Sequence, residues 1–97
     1  MNGKTYAVEM TSAAHKVYKK LDPPAQKRIK SAVEAIAKAP HAAALLSGLP
    51  LAVRSHHFTL AGVHWRVAYT IDERAAKVIV VLLGVRENFY DRLRRLL

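Results

Sequence analysis

Apolar and polar positions alternate at the start of the chain, with Tyr6, Val8 and Met10 on one side and Thr5, Ala7 and Glu9 on the other. That period of two predicts a half-buried strand over residues 4–10. Thr11 or Ser12 then offers an N-cap, and Ala13, Ala14, Val17, Tyr18 and Leu21 recur at helical spacing, predicting a helix over 12–21. Asp22-Pro23-Pro24 ends this helix and begins the next: Asp22 can cap, proline suits the first turn, and Ala25, Ile29, Ala32, Val33 and Ile36 form an apolar stripe before Pro40. The two helices are expected to form a hairpin.

Residues 39–52 hold Gly48 and Pro50 and read as an irregular connection with at most one helical turn around Ala42 to Leu46, His41 being only a loop residue. From Val53 to Arg86 the pattern is a three-stranded antiparallel meander, broken at Ala61-Gly62-Val63 and at Asp72 to Ala76. In its middle strand Trp65, Val67, Tyr69 and Ile71 alternate with His64, Arg66, Ala68 and Thr70, so the first set can be buried while Arg66 faces the other way. His57 and Thr59 are out of phase with Phe58 and Leu60, which places His57 on the face of Arg66 and His56 on the opposite phase. The end of the chain returns to helical spacing at Phe89, Leu93, Leu96 and Leu97, in a helix too short to persist without packing. The expected fold is α+β, a single domain over 1–97 in the order β-α-α-β-β-β-α, with the helix hairpin packed on one face of a twisted, mainly antiparallel four-stranded sheet and the other face partly open.

Charge adds a partner to this outline. Sixteen Lys and Arg against seven Asp and Glu give +9 and a pI near 10.3, the signature of a nucleic-acid or acidic protein partner. Lysines off the helix stripes serve equally as solvated faces or phosphate contacts, and the terminal Arg92, Arg94 and Arg95 continue the basic run. The absence of cysteine excludes disulfides and thiolate-ligated metals. No apolar run has the length of a membrane span and no secretory signal opens the chain, so a cytoplasmic protein without membrane contact is expected. Arg66 with His57 on one sheet face, and Arg86 followed by Tyr90 after the last strand, suit a phosphate-containing substrate.

The order of elements, with Tyr6-Ala7-Val8, Ala13-Ala14, Lys20-Leu21, Pro40, Leu46-Ser47-Gly48, Trp65-Arg66-Val67-Ala68-Tyr69 and Gly84-Val85-Arg86 followed by Tyr90, resembles the RelE/ParE superfamily of bacterial toxins from toxin-antitoxin pairs over nearly the whole length. Trp65 stands where members commonly have tyrosine. The resemblance to RelE-like members implies a ribosome-dependent mRNA endonuclease that inhibits translation and is held in a hetero-oligomer by a cognate acidic antitoxin. It also implies that Arg66, Arg86 and Tyr90 act on the scissile phosphate. The two lysines of RelE fall on His57 and Thr59 here, and since other ribonuclease members use histidine, His56, His57 and His64 become the candidate proton carriers, with His57 and His64 foremost. Arg54, His56 and Arg92 are expected to contact substrate. ParE-like members lack such a constellation and poison DNA gyrase, which is the alternative reading; a non-toxic RNA-binding module is a further rival.

Metal-free RNA cleavage needs a base for the 2′-hydroxyl, positive charge for the phosphorane and an acid for the leaving 5′-oxygen. Histidine fits either proton transfer, and arginine the middle role. Zinc bound by His56, His57 and His64 is disfavoured because neighbouring strand residues point to opposite faces, so neither metal nor cofactor is expected. With Trp65 and Tyr69 assigned to the core, no platform for stacking bases is expected either, and the ribosome would have to position the RNA.

Overall fold

The computed structural model describes residues 5–85 and 88–97. Its elements are β1 (Ala7–Met10), α1 (Ser12–Lys20), α2 (Pro23–Lys38), β2 (Ala44–Leu45), β3 (Arg54–Leu60), β4 (Val63–Asp72), β5 (Lys77–Val85) and α3 (Phe89–Leu96). The α+β class and the helix hairpin are as the sequence suggests, but the sheet has five strands in the order β1-β5-β4-β3-β2. The extra strand replaces the helical turn expected around Ala42 to Leu46: Ala44 and Leu45 pair antiparallel with Ser55 and Arg54. A two-residue edge strand is defined by backbone pairing alone, so it leaves no alternation for a sequence to display.

Local chemistry accounts for the helices. Asp22 accepts the Ala25 amide at 3.1 Å with Pro23 and Pro24 in the first turn of α2, and Gln26 Nε2 donates to the Tyr18 carbonyl at 2.9 Å, tying the hairpin together. The β3–β4 turn has Ala61 and Gly62 at φ of 50° and 80°, the two consecutive left-handed residues of a tight two-residue hairpin.

The face toward the helices buries Val67, Tyr69, Val78, Val80 and Leu83 against Ala14, Ile29, Ala32 and Ile36. On the other face α3 seats Phe89 and Leu93 against Val53, Ala68, Val81 and Leu82, so that face is half covered. A bulge makes this second core possible. Ala68 pairs with Leu82 but Tyr69 pairs with Val80, leaving Val81 as an extra residue, and Val81 and Leu82 consequently both point toward α3. The Thr11 hydroxyl donates to the Val81 carbonyl at 3.0 Å, and the hydroxyl oxygen accepts the Ala14 amide at 3.3 Å as the cap of α1. Thr11→Val keeps the shape and removes both bonds, and should lower unfolding free energy by about 2 kcal/mol in a urea titration. An unchanged midpoint would show that the bulge and cap do not depend on the hydroxyl.

The segment before β2 is pinned from three sides. The buried Tyr69 hydroxyl donates to the Pro40 carbonyl at 2.6 Å, Arg54 Nη1 donates to the carbonyls of His41 and Ala43 at 3.1 and 2.7 Å, and Glu73 receives His41 and Tyr6. Hydrogen bonds from His41 and Tyr6 hold the Glu73 carboxyl below its usual range. No helix among the described residues is long and apolar enough to cross a membrane.

Candidate functional site

Strand pairing assembles the site. His57 lies directly opposite Arg66, Thr59 opposite His64 and Ser55 opposite Ala68, so the side chains of Ser55, His57, Thr59, His64 and Arg66 share the face turned away from α1 and α2. Across the other edge of β4, Arg66 pairs with Gly84. The Cβ position of Gly84 lies 3.8 Å from the Phe89 ring and 3.9 Å from the Arg92 guanidinium, ordinary contact distances, so α3 and Arg92 lie against the sheet beside Arg66.

The seat of α3 carries Tyr90 to the site. Arg66 Nη1 donates to the Tyr90 hydroxyl, and the guanidinium carbon lies 4.9 Å from the centre of the Tyr90 ring, which in turn meets Phe89 edge-on at 5.8 Å. Because the phenol oxygen accepts from Arg66, its own proton is free to be given away. His57 is exposed, with Nε2 2.9 Å from the Ser55 hydroxyl. Lost hydration, then the charge of Arg66, then that of His64 push the His57 pKa below the ordinary imidazole value, which keeps the ring neutral near pH 7. His64 is also exposed, 3.4 Å from the Thr59 hydroxyl. The arrangement thus joins a neutral imidazole, a guanidinium and a phenol on one open surface.

The other expected residues are placed as follows. His56 stands on the helix side beside Phe58, with ring centres 6.4 Å apart, and does not join Arg66; alternation along β3 imposes this. Desolvation first, then the charges of Arg28 and His57, lowers its pKa. Arg54 is occupied by the carbonyls of His41 and Ala43 and serves the fold. Trp65 is only half-buried, because the helices stop short of the β3–β4 turn. Arg86 lies outside the described residues. Among the described residues no group of three or more His, Asp or Glu side chains comes close enough to hold a metal ion.

Residues 8–94 match the sequence model of the ParE-like toxins of type II bacterial toxin-antitoxin systems. Among curated proteins none matches the chain. Solved structures share the fold. A double arginine-to-alanine mutant of the E. coli toxin RelE in the free state superposes with a TM-score of 0.74 at 18% identity, covering 93% of each chain. A chain of the intact E. coli RelBE toxin-antitoxin complex gives 0.68 at 19% identity over 84% of this chain and 98% of that one. One of the Mycobacterium tuberculosis RelBE2 complex gives 0.67 at 21% identity over 84% and 92%. At these identities the likeness is one of fold.

Proposed function

Because the chain belongs to the ParE-like toxins of type II bacterial toxin-antitoxin systems, within the RelE/ParE superfamily, we propose that it is a ribosome-dependent endoribonuclease that cuts mRNA and is held inactive by an acidic antitoxin. The observation that carries this reading is the pairing of a neutral His57 with Arg66 on adjacent strands, with the Tyr90 hydroxyl already on the guanidinium. Neutral His57 takes the proton from the 2′-hydroxyl, and the freed oxygen attacks phosphorus. Arg66, with Arg92 beside it and Arg86 in the adjoining sequence, offsets the negative charge of the phosphorane. The bond to the 5′-oxygen then breaks, and Tyr90 or His64 returns a proton to it. Dependence on the ribosome follows from what this face lacks. Of its two α3 aromatics, Phe89 is buried and Tyr90 is held on Arg66, so something else must present the RNA. An antitoxin would find a partner of charge +9, and RelE of the E. coli complex is likewise bound to its antitoxin.

Single-turnover cleavage of ribosome-bound mRNA between about pH 5 and 8 tests the base. A base works unprotonated, so the wild-type rate should rise with pH and level off, with its midpoint below the ordinary imidazole value because the His57 pKa is depressed. His57→Ala should be slower and lose that rise, while ribosome binding changes little. If the variant kept the wild-type profile, the base would be another group. Intact mRNA together with impaired DNA supercoiling by gyrase would favour the gyrase reading, toward which the ParE-like family description leans.

A further inference from the structure

The helix face of the sheet continues past the helices toward the β3–β4 turn. Strand parity places Phe58 and Leu60 of β3, Val63 and Trp65 of β4 and Val85 of β5 on that face, joined by the pairs Phe58–Trp65, Leu60–Val63 and Trp65–Val85. Val63 and Val85 are 45% and 42% exposed, and Trp65 between them is half-buried. The Trp65 ring lies parallel to Phe58, 4° apart in plane with centres at 6.2 Å, and the Arg28 guanidinium sits 4.5 Å from the Phe58 centroid. His56 adjoins the same ring. The chain carries no Asp or Glu from residue 35 to residue 71, so the hairpin has no acidic side chain of its own before Asp72, at the end of β4 away from the turn.

A half-buried indole ordered against a second ring, which arginine and histidine border in turn, combines a π-surface with positive charge. A nucleotide presents the complement, an aromatic face attached to an anion; an apolar protein segment would satisfy the rings but not the charge. We propose that Trp65 is a stacking platform for an unpaired base of the RNA strand, on the sheet face opposite Arg66, with Arg28 meeting the adjoining phosphate. The inference rests on the reading that the protein acts on RNA, and adds a second contact for the same strand. The strand can pass between faces around Ala61 and Gly62, where a methyl group is the largest side chain and the space at Gly62 is open.

Trp65 is the sole tryptophan, so its emission reports the platform directly. The probe is a 2′-O-methyl decanucleotide, whose blocked 2′-oxygens prevent cleavage, compared with an abasic strand of the same length and with inorganic polyphosphate. The decanucleotide should quench Trp65 emission saturably and the two base-free polyanions should not. By anisotropy of the labelled strand, Trp65→Leu should bind roughly tenfold more weakly and Trp65→Phe should retain most affinity, as one base stack predicts. Equal quenching by all three polyanions, no quenching by any, or undiminished affinity of Trp65→Leu would overturn the platform. So would quenching by an acidic amphipathic peptide and not by RNA. Cleavage is scored separately: base-dependent quenching without cleavage upholds the platform while removing the nuclease reading, whereas cleavage without quenching does the reverse.

Discussion

Replacing Arg66 with alanine is expected to lower single-turnover cleavage of ribosome-bound mRNA by about a hundredfold, the usual cost of one preorganised charge at a phosphorane. Arg66 sits at the centre of the candidate site: its strand neighbour is His57, its hydrogen-bond partner is Tyr90, and Arg92 reaches across Gly84 to its other side. Alanine therefore removes the guanidinium and the anchor of the Tyr90 hydroxyl together. It should also move the pH profile. The charge of Arg66 is one of the causes that depress the His57 pKa, so its loss lets His57 hold a proton to higher pH, and the midpoint of the residual rate should shift upward. Arg66→Lys separates charge from geometry, because an ammonium keeps the charge but loses the planar fork, and it should fall between the two. Near-normal cleavage by Arg66→Ala at every pH would remove Arg66 from the chemistry, whereas intact mRNA with the unaltered protein would put gyrase inhibition in front.

Phe89→Ala should have the largest effect on stability, lowering unfolding free energy by about 3–5 kcal/mol. The ring is 1% exposed and packs with Leu93 against Val53, Ala68, Val81 and Leu82, in a second core too small to close over the gap. A domain of this size has on the order of 5–15 kcal/mol in total, so the loss is a large share. Activity should fall with it. At eight residues α3 does not persist alone, and once undocked it takes Tyr90 off Arg66 and Arg92 off the sheet. Tyr90→Phe is the control: it deletes the hydroxyl while leaving the ring and its packing, so it should slow cleavage with little change in the urea midpoint. If Phe89→Ala unfolded at the wild-type midpoint, the second core would not be what holds α3.

Alternation along two strands was enough to place His57 and Arg66 on one face, because a period of two admits no other arrangement once Val67 and Tyr69 are buried. The caps at Thr11 and Asp22 and the turn at Ala61-Gly62 were legible for a similar reason: each is a contact or backbone angle within a few residues. The parallel pairing of β1 with β5, the edge strand at Ala44–Leu45 and the bulge at Val81 were not, since all three depend on partners distant in the chain. Burial also divided residues that look alike as letters. Arg54 is consumed by loop carbonyls while Arg66 faces the open surface, and Tyr69 is sealed under the helices while Trp65, four residues earlier in the same phase, is half uncovered. Periodicity tells which side of a sheet a residue occupies; what covers that side is decided by how far α1, α2 and α3 reach across it, which only the packed chain determines.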